Sequence, residues 1–269
     1  MMFPNMWSGA AHDVVQHVIA HTGKELGGDF RKEPARIFNH LQGVNLDARD
    51  HGAPHGIQPD LYYRLANNGG ALGEGRIAEI KTLRYGLLYK PRDTDASAAV
   101  NRRAHQVKLE YISRVKRFDS QYDTTGATAQ GLAGPAQREY TRLGGVVPIV
   151  VGAFGEFNKE LHELVDDMAE TGAHRHYAMM LQASPEHAKG ILVQFIRQRL
   201  AITAMRENAM ELLHKMERVR GGGGYHASPP PPPPPMGPRV HWWSQQFERG
   251  QMRFGRNGHY YGHTRGRTN

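Results

Sequence analysis

Three residues carry the most specific chemistry in this chain: Asp60, directly after Pro59, and the pair Glu79 and Lys81 on either side of Ile80. Two carboxylates and the main-chain carbonyl of Ile80 are hard oxygen donors suited to Mg²⁺ or Mn²⁺, ions that keep waters and take a substrate phosphate as further ligands. Such an ion polarises a phosphoryl oxygen, lowers the pKa of a bound water and steadies the leaving oxygen. A lysine beside it orients or helps deprotonate the water, or neutralises charge that grows on the pentavalent phosphorus. The implied chemistry is hydrolysis of a phosphate ester.

The elements that must position these groups follow from local pattern. Residues 61–67 read as a strand, 68–75 as a glycine-rich turn and 76–83 as a second, antiparallel strand. Side chains alternate along a strand, so Glu79 and Lys81 share one face while Ala78, Ile80 and Thr82 share the other. The simplest hairpin pairing leaves Asp60 near the far end of the second strand, so a bend or longer strands must bring it to Glu79. Upstream, Asp13 is a candidate cap for a helix to about His21, and Ile37, Phe38 and Leu41 share one face of a short helix over 34–41.

Downstream, Asp93, Thr94, Asp95 and Ser97 offer caps for a long helix over 98–122, in which Val100, Val107, Tyr111, Val115 and Phe118 recur at helical spacing. Its other side is basic: Arg102, Arg103, Lys108, Arg114, Lys116 and Arg117 are candidate phosphate contacts, which would give salt-dependent binding with little sequence preference. A short helix over 135–143 leads to the β-branched run 145–154, a buried strand whose Pro148 calls for an edge position or a bulge. Helices over 158–171 and 184–219 complete an α/β pattern.

Composition sets the outer bounds. With no cysteine in 269 residues there is no disulfide framework, thiolate metal site or cysteine nucleophile. No stretch is apolar enough to span a bilayer and the first residues lack the form of a signal peptide, so no membrane association and an intracellular location are expected. Of the net charge of +8, most lies after Gly221, where six arginines face a single acid, Glu248. Four glycines and seven prolines, 221–224 and 229–235, introduce this segment as a flexible joint and an extended polyproline stretch that fits an aromatic groove of a partner domain. Beyond them Arg249, Arg253 and Arg256 alternate with aromatics and glycine, a composition that cannot build a core but suits single-strand or RNA binding.

Taken together, Pro59-Asp60, an 18-residue interval and Glu79-Ile80-Lys81 resemble the PD-(D/E)xK nuclease superfamily. The order of elements from about Glu25 to Glu156 is similar as well. The resemblance implies a restriction-endonuclease-like α/β core with a mixed central sheet flanked by helices, Mg²⁺- or Mn²⁺-dependent cleavage of DNA or RNA, and compatibility with a homodimer. It also implies an accessory acid from the first helix, for which Glu25 and Glu33 are candidates, and a basic or amide residue from the helix after the motif, for which Arg102, Gln106 and Lys108 are candidates. Gln106 and Tyr111 are five apart and do not match the Gln/Tyr spacing of some members. The expected organisation is an N-terminal segment over 1–24, the nuclease-like core over 25–172, a helical extension over 173–220 and a disordered basic tail over 221–269.

The alternative keeps the basic helix and tail but not the chemistry: a nonenzymatic nucleic-acid-binding or scaffold protein, with Glu79 and Lys81 on the solvent face of an edge hairpin. His51 and His55 lie in a loop without the spacing of a zinc site.

Overall fold

The computed structural model describes residues 8–34, 37–45, 57–66, 71–84 and 97–220. In chain order these form α1 (Ser8–Glu25), β1 (Asp29–Lys32), β2 (Leu61–Arg64), β3 (Arg76–Thr82), α2 (Ser97–Tyr122), α3 (Pro135–Arg142), β4 (Val146–Val151), α4 (Lys159–His176) and α5 (Pro185–Arg220). They belong to one compact unit that ends at Gly222. The polyproline stretch, the arginine-rich tail with Arg249, Arg253 and Arg256, and the histidines His51 and His55 lie outside the described residues.

The sheet is mixed and flanked by helices. Its order is β1-β2-β3-β4, with antiparallel pairing from β1 to β3 and parallel pairing between β3 and β4. Because β3 is inner and β4, though at the edge, is largely buried, their apolar residues run almost without interruption. On the face of Ile77, α2 and α3 lay down Tyr111, Val115, Phe118 and Ala136, joined by Val146 of β4. A second cluster beside it unites Leu83 and Val150 with Ala99, Val100 and Ala104 at the start of α2. The other helices in contact with the sheet are α1 and α4, and α5 packs on both.

Among the described residues no helix is long and apolar enough to cross a membrane. β4 ends the sheet, as Pro148 requires. Its outer edge is closed by a side chain: fully buried Asn158 donates from Nδ2 to the Pro148 carbonyl at 2.8 Å and accepts the Val150 N–H on Oδ1 at 2.8 Å. Asn158 thus stands in for a fifth strand just before α4 begins. Asp119 does comparable work for α3. Its two carboxylate oxygens accept the N–H groups of Ala136 and Gln137, each at 2.8 Å, capping that short helix from a neighbouring one. Gly134 is required there, since a Cβ would lie 2.4 Å from the Asp119 carboxyl carbon.

Several expectations are corrected. α1 starts at Ser8 and carries Asp13 inside it, so that residue is no cap. Residues 37–40 form turns, not a helix, although Ile37, Phe38 and Leu41 do pack against the α2 cluster. β1 is a strand where none was expected; in Asp-Phe-Arg-Lys only Phe30 is buried, too little pattern to reveal it. β2 is shorter than its expected span. The division at 172/173 falls within α4, which runs unbroken to His176.

Replacing Asn158 by Ala removes both bonds and leaves the Val150 N–H and the Pro148 carbonyl buried without partners, so the variant should lose about 3 kcal/mol of stability in urea denaturation. A loss below about 1 kcal/mol would show that the β4 edge is satisfied some other way.

Candidate active site

The register of the sheet decides where the acids meet. Leu61 pairs with Ala78, so Asp60, one residue earlier, lies directly across from Glu79. No bend is needed, contrary to expectation: β2 pairs only with the first part of β3, and the remainder of β3 runs past it alongside β4. Where β2 stops, the Ile80 N–H loses its strand partner and donates instead to Asp60 Oδ2 at 2.6 Å. The Asp60 carbonyl is itself held, accepting from Glu33 N at 2.9 Å and from the Gln16 amide of α1 at 2.8 Å.

Lys81 and Glu79 leave β3 on the same face, as alternation requires. Lys81 Nζ lies 2.8 Å from Glu79 Oε1 and 4.0 Å from Asp60 Oδ2, so a positive charge already sits between the two carboxylates. Glu79 is only 5% exposed, and its Oε2 is buried without a hydrogen-bond partner among the described residues. From α2, Arg114 reaches Glu79 Oε1 at 3.4 Å, and Tyr111, one helical turn earlier, buries its ring and hydroxyl beside the same carboxylate. Burial, with the Glu79 charge adding to it, pushes the Tyr111 phenol far above its usual range. Lys81 and Arg114 remain partly open to solvent, so the site is closed at Glu79 and open at its cations.

No family model, curated protein or solved structure matches this chain.

The helix-borne acids fare differently from the strand residues. Glu25 ends α1 and pairs with His21 at 3.2 Å and Arg199 at 3.6 Å. Glu33 is not on a helix but follows β1 with φ of 43°, an uncommon conformation for a residue with a side chain, and meets Asp60 through its backbone. What α1 brings to the site is His12, whose Nε2 is 3.0 Å from Asp60 Oδ2 while Nδ1 faces Asp13 at 3.1 Å. His12 and Gln16 were missed, because a polar pair four apart on a helix points to a site only once α1 is laid beside Asp60. On α2, Arg103 is engaged by Gln106 and Glu110, and Lys108 by Glu160; these cations stabilise the fold's own surface. Arg102 lies on the same helix, half-buried.

A divalent cation fits the oxygen set, because Asp60, Glu79 and the Ile80 carbonyl are grouped by the register and Glu79 Oε2 awaits a partner. Among the described residues no three His, Cys, Asp or Glu side chains form a ready cluster.

The hydrogen bond to Asp60 raises the His12 pKa above its ordinary 6.5, against burial, which lowers it. A histidine raised in the folded state contributes stability that is complete below its unfolded value and fades as pH rises through the folded one. Accordingly, Asp60→Asn should move the His12 titration, followed by NMR, back toward the ordinary range, and wild type should exceed His12→Gln in stability by more at pH 5.5 than at pH 8.5. An unmoved titration would mean that the contact with Asp60 is not formed in solution.

Proposed function

We propose that this protein is a metal-dependent phosphodiesterase that cleaves nucleic acid, with Asp60, Glu79 and Lys81 as its centre. The observation that carries the reading is the meeting of these three side chains at the point where β2 ends against β3, with Lys81 held between the carboxylates. The order helix, three strands, two helices, strand, in a mixed sheet with a parallel last pair, supports a restriction-endonuclease-like core.

Asp60, Glu79 and the Ile80 carbonyl would hold Mg²⁺ or Mn²⁺, which when bound supplies a more acidic water and an electrophile for the phosphate oxygen. The chain's own residues do the rest. The Ile80 N–H fixes one Asp60 oxygen, so that this carboxylate does not swing when substrate arrives. Lys81, tied to Glu79 and reaching toward Asp60, orients the attacking water and offsets the charge that develops on phosphorus. Arg114, half exposed beside Glu79, is placed to meet a phosphate oxygen at the open side of the site.

Nucleic acid is the proposed substrate because Lys81, Arg114 and His12 stand at the two carboxylates and the sequence after Gly221 alternates arginine with aromatic residues. On labelled DNA and RNA, wild type should cleave with Mg²⁺ or Mn²⁺ and stop on chelation. Asp60→Asn and Lys81→Ala should each cut at least about a hundredfold more slowly while still binding the strand. Equal cleavage by both variants would remove the assignment, and binding without cleavage by wild type would identify a nonenzymatic nucleic-acid binder.

A further inference from the structure

The long α5 has two apolar faces, and the fold uses one. Ala188, Leu192, Ile196, Leu200 and Ala204 recur every four residues, are fully buried and face α1 and α4. The series ends at Asn208, which is 8% exposed. On a different side of the same helix, Ile202, Met205, Ala209, Leu212 and Met216 recur with alternating spacings of three and four, and all are exposed. Ile202 is 60% exposed and Met216 52%. Alternation of three and four is the seam by which one helix packs along another.

We propose that this second face is a dimerisation surface, on which α5 of a second copy lies antiparallel with the crossing at Ala209. Three features select this occupant. A two-fold antiparallel crossing sets Ala209 against its own counterpart, where a small side chain lets the helices approach, and places Met205 against Leu212 and Ile202 against Met216 at both ends. Arg206 and Glu217, both exposed, border the same side of the seam, so each copy offers a cation toward the other's acid. The exposed Ile, Met and Leu side chains of this face, with Leu213 beside it, give the seam the aliphatic and Met composition of an interface core free of charged groups. The Gly155 turn leans on Ala201 and carries Phe154, 57% exposed, which adds apolar surface beside the seam.

The final turns of α5, beyond Asn208, have little of the core to lean on. A helix end of that length is marginal in water by itself and gains its stability from packing.

The chain has no cysteine, which makes a single introduced thiol a clean reporter. In the full-length protein, Ala209→Cys should form a disulfide-linked dimer on mild oxidation. Met216→Cys should not, because antiparallel apposition separates the two copies of that position by about 20 Å. In sedimentation equilibrium wild type should be dimeric, and Leu212→Glu with Met216→Glu should weaken association at least about a hundredfold while melting of the monomer unit is retained. Wild type that remains monomeric up to about 100 µM overturns the proposal, whatever else covers the seam. Equal crosslinking at the two cysteine positions overturns the antiparallel arrangement.

Discussion

The hydrogen bond from the Ile80 N–H to Asp60 Oδ2 is the constraint on which the site depends. A backbone donor in the middle of a sheet needs an acceptor, and β2 ends too soon to provide one. Asp60 supplies it with a side chain. The same bond that completes the sheet therefore delivers one carboxylate to the strand that carries the other, and fixes the distance over which Lys81 must act. Gln16 and Glu33 secure the Asp60 backbone, which leaves the side chain few alternatives.

The rest of the fold keeps that junction rigid. β4 runs parallel beside β3 from Ile77 to Thr82, so Glu79 and Lys81 are braced by this pairing, and Glu79 also by Arg114 of α2. Asn158 closes the outer edge of β4 and Asp119 fastens α3 to α2, both by buried side-chain bonds to backbone. Glu79 works in the other direction. A carboxylate that is almost wholly buried, with one oxygen unpaired among the described residues, is costly to the fold, and the proposed cation would offset that cost.

Much of this was legible in the residues. The periodic apolar positions from Val100 to Phe118 define α2 to within a residue, while the candidate caps Asp93, Thr94 and Asp95 lie outside the described residues; the β-branched run with Pro148 gives β4 as an edge strand. Period-two alternation put Glu79 and Lys81 on a common face. The register was not legible, because residues 61–67 and 76–83 admit more than one pairing, and the shift that sets Asp60 opposite Glu79 depends on contacts with α1 and β1. β1 escaped notice because its neighbours, and not its own sequence, make it a strand. His12 escaped because its function arises only when α1 is laid across the sheet's end.

The proposed cation-dependent centre is the meeting of Asp60, Glu79 and Lys81. A Mn²⁺ titration of the purified full chain, followed by water-proton relaxation, in wild type and in Glu79→Gln tests it. Wild type should show a saturable site that is lost in a folded Glu79→Gln protein. No saturable Mn²⁺ binding in wild type, or binding of equal strength in the variant, would remove the cation from this site.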